Sequence, residues 1–169
     1  MASVDYAIFD IGTAKTFSTN GTSTATFNRG YTVKAYDATT KAYGTFKFVR
    51  SKVVIRKGSP VGYSSPGIVS HVKSAGMSAK PAGVACAKIS ASCYGWIQTK
   101  GFNFYRVRTD TGISAGDTVM KDNDGDNEHL ETVARTLYGT QIGWTMGNAI
   151  AADSSSYMAP GTVFLACPD

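Results

Sequence analysis

The chain is expected to be all-β, a barrel or sandwich of short antiparallel strands with at most one or two short helices, and three observations lead there. The first is composition. In 169 residues, 3 Leu, 2 Glu and 2 Gln stand against 19 Thr, 16 Ser and 18 Gly, which withholds the best helix formers and favours strands joined by turns. The second is alternation of apolar and polar residues in "GYTVKAYD" (30–37), "GTFKFVRSKVVIRKG" (44–58), "GVACAKIS" (83–90), "YGWIQTKG" (94–101) and "FYRVRTD" (104–110). The third is spacing: short runs at roughly ten-residue intervals, bounded by Gly, Pro, Ser or Asn, are the pattern of sandwiches and barrels.

In chain order, residues 1–28 form a hairpin or an extended arm, because "GTAKTFSTNGTSTATFN" (12–28) is rich in Ser, Thr and Gly and nearly uncharged. Strands follow from residue 30. Residues 58–83, with Pro60, Pro66 and Pro81 among glycines and serines, make a loop-rich soft boundary within a single domain, 1–169. The segment "NEHLETVARTLYG" carries two readings. Leu130, Val133, Ala134, Leu137 and Tyr138 fall at helical spacing, with Asn127 as N-cap and Gly139 as C′ residue; alternatively residues 128–138 are the return arm of a hairpin.

The three cysteines, Cys86, Cys93 and Cys167, are odd in number and lie among small residues, so each is expected to be a reduced, small apolar side chain. No basic-then-apolar leader opens the chain, and no run approaches the roughly 18 apolar residues of a membrane helix. A soluble protein without membrane partners is expected. A chain of this length supports a core without metals or disulfides.

The net charge of +5 is unevenly spread: residues 1–60 carry +6, residues 61–121 carry +5 and residues 122–169 carry −6. A basic front and an acidic tail suit head-to-tail association or docking on a charged surface.

"KDNDGDNEH" (121–129) places Asp122, Asp124 and Asp126 at alternate positions, which are the first three ligand positions of a calcium loop. Position 6 of that loop would be Asn127 instead of Gly, and position 12 would be Val133, which offers no oxygen. The competing and preferred account is a hairpin tip with Asp124-Gly125 at its turn. His71 and His129 lack metal spacing, and no GxSxG, HExxH, CxxC or phosphate-cradling GxxxxGK pattern occurs. No catalytic residue, cofactor or metal is therefore assigned.

The run "KAYGTFKFVRSKVVIRK" (41–57) has two readings as well. Phe46, Phe48, Arg50 and Lys52 share a strand face, as in sheets that stack bases and track phosphates. The preferred alternative is an edge strand made soluble by its cations, with Val49, Val53 and Ile55 packed on the core. Either way Lys47, Arg50, Lys52, Arg56 and Lys57 are the candidate contact residues for a partner. Trp96 and Trp144, each beside a glycine, are expected to fill the core, with sugar stacking as the alternative.

"PAGVACAKISASCYGWIQTKGF", then "ISAGDTVMKDNDG", then "GTQIGWTM" and "PGTVFLACP" follow one another in an order that resembles the tailed-bacteriophage head-decoration, or capsid cement, proteins. The matching positions are Gly83 to Ala85, Tyr94 to Gln98, Ala115 to Asp117, Ile142 to Trp144 and Gly161 to Leu165, within residues 76–169. Thr145 departs from the small-residue continuation of that pattern. The resemblance implies a β-barrel or sandwich that binds the outside of a shell of major capsid protein. It also implies a virion location on the capsid surface and neighbouring copies of itself as a trimer or dimer. A β-sheet module for nucleic acid or glycan is the rival reading.

Overall fold

The computed structural model describes the backbone of residues 5–10, 13–18, 21–37, 42–71, 81–108, 118–121, 130–133, 143–145 and 158–167, and the side chains of 21–36, 42–70, 82–101 and 167. Twelve strands and no helix occupy these residues. They are β1 (Asp5–Asp10), β2 (Thr13–Ser18), β3 (Thr32–Asp37), β4 (Ala42–Ser51), β5 (Pro60–Ser65) and β6 (Ile68–His71). The remainder are β7 (Pro81–Ala85), β8 (Tyr94–Arg108), β9 (Thr118–Lys121), β10 (Leu130–Val133), β11 (Gly143–Thr145) and β12 (Met158–Ala166).

Five strands close into a barrel in the order β4-β6-β5-β7-β8, with β8 pairing back on β4. Closure removes the free edges that an open sheet would expose. All pairs in this ring are antiparallel except β4–β6, which runs parallel at Arg50↔Ile68 and Ser51↔Val69. A register shift between Thr45 and Phe46 leaves Thr99 as an extra residue on β8, and its hydroxyl donates to the Thr45 carbonyl at 3.2 Å. Such a bulge bends a strand where a small barrel must curve.

β4 and β8 organise the chain. Along one edge of β4 lies β8; along the other lies β3 at residues 42–47, then β6 at residues 50–51. β3 therefore leaves the barrel and carries the β1–β2 hairpin outward, joined through Ala7↔Tyr36 and Ile8↔Ala35. The second half of β8 pairs with β12 and, at Val107 and Arg108, with β10. Together with β9 and β11, these ladders close a second ring that shares β8 with the first.

Period-two side-chain alternation sends successive residues of β4 and β8 into two different cores. Val49 and Ile97 point into the barrel with Ile55, Val61, Val69, Ala82, Ala85 and Ile89. Phe46, Phe48 and Trp96 point outward, where Val33, Ala35 and Cys86 complete a second cluster. The segment 21–31 lies over that cluster as a strap. The Thr22 and Tyr94 amides and carbonyls bond each other at 2.8 Å, and the Gly30 amide donates to the Phe48 carbonyl at 2.8 Å. Phe27 from this strap meets Trp96 edge-on at 5.3 Å and Phe48 at 5.6 Å, the arrangement that aromatic quadrupoles favour.

Several expectations are corrected here. β4 is not an edge strand, since it is paired on both edges, and Phe46 and Phe48 are buried beneath the strap, so they offer no stacking platform. The part of residues 58–83 that is described supplies β5, β6 and the start of β7 to the closed barrel. Of the two readings of residues 128–138, the strand holds for Leu130–Val133, which pairs with β9 and β8; residues 128–129 and 134–138 lie outside the described residues. The runs at 94–101 and 104–110 are not separate: they belong to the continuous β8, which ends at Arg108. Val49 and Ile55 do pack in the core, and Trp96 is buried. Trp144 lies on β11, its side chain outside the described residues.

Two glycines of the "YGWIQTKG" run are explained by space. A Cβ on Gly95 would come 2.6 Å from Cγ1 of the buried Ile89. Gly101 has a φ of +106° and packs against the Tyr43 carbonyl, where a Cβ would stand at 2.6 Å. Among the described residues no helix is long and apolar enough to cross a membrane.

Candidate docking surface

The candidate partner-contact residues resolve into two groups once the barrel is built. Past Ser51 the chain leaves β4 and meets residues 86–93 in a short bridge, Ile55 against Ile89, with mutual amide–carbonyl bonds of 2.8 and 2.9 Å. Both isoleucines point into the barrel, so Lys52, Val54 and Arg56 on one segment and Lys88 on the other face solvent. Antiparallel register makes Arg56 and Lys88 cross-strand neighbours. Lys57 follows on the turn closed by the Ser59 amide donating to the Arg56 carbonyl at 3.2 Å. Lys52, Arg56, Lys57 and Lys88 thus form one exposed cationic ridge at an end of the barrel.

Beside the ridge, Ser90 to Cys93 form a turn in which the Cys93 amide donates to the Ser90 carbonyl at 3.1 Å. Ser92 has a φ of 63°, the positive value that the third position of a type II turn requires and that glycine adopts most cheaply. Two contacts hold it there: its amide donates to the Ser51 carbonyl at 2.9 Å, and Arg50 Nε donates to its own carbonyl at 3.1 Å. The Arg50 guanidinium also lies 5.9 Å from the centre of the Tyr94 ring, which stacks on Phe48. Arg50 is therefore tied to the turn and the aromatic cluster, half-buried.

Lys47 belongs elsewhere. Its ammonium stands 5.4 Å from the centre of the Tyr63 ring, on the face of β4 opposite Phe46 and Phe48. On that same face, Tyr36 and Tyr43 are cross-strand partners with ring centres 5.2 Å apart, and Tyr43 is 65% exposed. So the five candidate residues divide: Lys52, Arg56 and Lys57 share the ridge, Arg50 borders it, and Lys47 lies on another surface. Lys88 was missed. Its place opposite Arg56 depends on a bridge between residues 34 positions apart, which no local pattern announces.

The ridge sits in a segment without a single carboxylate. Residues 38–109 hold twelve Lys or Arg and no Asp or Glu, whereas residues 110–169 hold nine Asp or Glu and two Lys or Arg. The first barrel falls in the cationic stretch, and β9 to β12 fall in the acidic one.

Asp122, Asp124 and Asp126 lie outside the described residues. The ladder that flanks them is described: β9 and β10 pair antiparallel with Lys121 opposite Leu130, so residues 122–129 connect two hydrogen-bonded strands. Among the described residues no three His, Cys, Asp or Glu side chains are grouped as metal ligands. Cys86, Cys93 and Cys167 are free thiols, the first and last buried. Burial pushes the Cys167 thiol up to about 12, against a smaller lowering from nearby Lys100. A thiol so held stays protonated at neutral pH and is a poor nucleophile.

No protein-family model matches the chain, and no curated protein matches it. Among solved structures, the head fibre gp8.5 N base of bacteriophage phi29 is similar at 15% identity and a TM-score of 0.45, over 73% of this chain and 97% of that one. A likeness at that level does not bear on what this chain does.

Proposed function

We propose that the chain is a structural protein of a phage head that binds the outer surface of an assembled shell of major capsid protein and stabilises it. The observation that carries this reading is the order of the decoration-protein motifs. Their segments lie at or beside β7, β8, β9, β11 and β12, and β8 joins the two rings that these strands help to close. Closed rings suit a protein that must coat a surface without pairing promiscuously through exposed edges. Many weak contacts on a repeating lattice then act together, because each attached copy raises the effective concentration of the next contact. Neighbouring copies on the shell are part of this proposal.

Co-sedimentation with purified empty shells tests it. The protein should pellet with shells and raise the temperature or force at which they rupture. Shells that neither bind it nor gain resistance would sink the proposal. The carboxylate-free stretch 38–109 favours one rival, binding to nucleic acid. That rival requires affinity for single- or double-stranded DNA or RNA that falls steeply with salt and is weakened by Lys52→Gln and Arg56→Gln.

A further inference from the structure

We propose that the face shared by β3 and β4 around Tyr43 binds single-stranded nucleic acid, with a base stacked on Tyr43 and phosphates held by Lys34 and Lys47. Antiparallel pairing sets three rows across this face: Tyr36 opposite Tyr43, Lys34 opposite Thr45, and Thr32 opposite Lys47. Val33, Ala35, Phe46 and Phe48 turn to the other side and are buried there, so the alternation that fills the aromatic core also brings these tyrosines and lysines together. Tyr43 is 65% exposed, more than any other large apolar side chain among the described residues. The Tyr36 ring lies 5.2 Å from it, inclined at 59°, and supports it from one side. Lys34 is exposed, and the Lys47 ammonium stands 5.4 Å from the centre of the Tyr63 ring, a cation–π contact that holds it on this face.

Charge and ring chemistry identify the occupant. Among the residues whose side chains are described there is no Asp or Glu, so nothing on this side of the described surface repels a polyanion. Lys34 and Lys47 are diagonal neighbours across the strand pair, with Cβ atoms roughly 7 Å apart. The tyrosine row lies about 7 Å from Lys34 and about 14 Å from Lys47 along the strands. An open aromatic ring followed by two cations suits a flexible polyanion that also carries flat rings, and single-stranded nucleic acid is that polymer. A duplex keeps the faces of its bases stacked inside, so it can engage the lysines through phosphate but leaves Tyr43 unused. The ridge of Lys52, Lys57 and Lys88 carries no aromatic side chain among its exposed residues and supplies charge without stacking. Phe46 and Phe48 are the rings that alternation along 41–57 suggests for stacking, but they are buried, and Tyr43 is the ring of β4 that reaches the surface.

This inference does not rest on the head-surface proposal: failure to bind shells leaves it standing, and failure to bind nucleic acid leaves the head-surface proposal standing. The test is fluorescence anisotropy of a labelled oligothymidylate of about 12 nucleotides, titrated with the full-length protein at several salt concentrations. Tyr43→Ala should weaken binding on the order of tenfold, and Tyr43→Phe should keep it, because the ring is what stacks. Lys34→Gln and Lys47→Gln should each reduce the slope of log affinity against log salt by about 0.7, the loss of one phosphate contact on a single strand. Lys52→Gln, on the ridge, is the control and should leave the effect of Tyr43→Ala unchanged. A duplex of the same length should bind no differently to Tyr43→Ala than to wild type. Alginate, an anionic polysaccharide, should compete far less than unlabelled oligothymidylate. Tyr43 is largely exposed, so its variants keep their fold, which circular dichroism checks. Oligothymidylate that does not bind overturns the proposal. So does a Tyr43→Ala variant that binds like wild type, a Tyr43→Phe variant that loses as much as Tyr43→Ala, or alginate that competes as well as the oligonucleotide.

Discussion

Replacing Ser92 by glycine should stabilise the protein. Ser92 holds a φ of 63° in a turn where the preceding residue has a negative φ, and a side chain in that left-handed region costs about 1–2 kcal/mol. Both of its backbone hydrogen bonds, from its amide to Ser51 and to its carbonyl from Arg50, survive the substitution. Glycine returns about 0.5–1 kcal/mol of that gain through the greater freedom of the unfolded chain. The net is about 0.5–1 kcal/mol in favour of Ser92→Gly, or a rise in Tm of roughly 1–4 °C for a chain of this size. Ser90, exposed in the same turn with an ordinary negative φ, is the internal control. Ser90→Gly gains no relief and should lose about 0.5–1 kcal/mol. Thermal unfolding followed by circular dichroism, with Ser92→Ala as a third variant expected near wild type, reads all three. If Ser92→Gly melts at or below wild type, or shifts by the same amount as Ser90→Gly, the strained-turn argument is wrong.

Three further outcomes follow from the two cores and the buried thiol. Phe48→Ala should cost about 3–5 kcal/mol in urea unfolding, because the ring is 1% exposed and packs on Trp96, Tyr94 and Phe27; a surface stacking residue would lose almost nothing. Gly95→Ala should cost about 1–3 kcal/mol by forcing a methyl against Ile89, and Ile89→Val in the same chain should recover part of it, so a double-mutant cycle without coupling would refute the contact. Cys167 makes stability depend on alkaline pH. Its thiol ionises near 9.0 when unfolded and about 12 when folded, so the folded state holds the proton longer, and the contribution is complete below 9.0 and lost as pH rises towards 12. Roughly 4 kcal/mol is the upper bound on that loss. Unfolding measured between pH 8 and about 11 should converge for wild type and Cys167→Ala as pH rises; parallel curves would exclude a buried neutral thiol.

Fold class and strand positions were legible because they depend on local facts: few helix formers, period-two alternation, and Gly or Pro at the boundaries. "TVKAYD" and the first half of "YGWIQTKG" are strands for that reason, and Val49 and Ile55 were assignable to a core from their spacing. Alternation could not say what covers the other face. Phe46 and Phe48 beside Arg50 suit an exposed binding sheet and a buried outer core equally well. The strap at 21–31, with Phe27 and Tyr31, chose the second by contributing aromatics from a distant part of the chain. The same limit applies to "LETV", whose apolar spacing at 130–138 fits a helix until β9 and β8 offer their edges.

Residue type and order alone point to an all-β chain, to reduced cysteines and to a separation of positive from negative charge along its length. Those follow from residue type and order, which act at short range. It took the folded chain to show that β4 is a stave of a closed barrel, that Lys88 is exposed beside Arg56 while Lys47 lies on another surface, and that β8 ties two rings together. The physical reason is that pairing partners in a sheet are chosen by non-local hydrogen bonds and burial, and those contacts turn a list of basic residues into a surface.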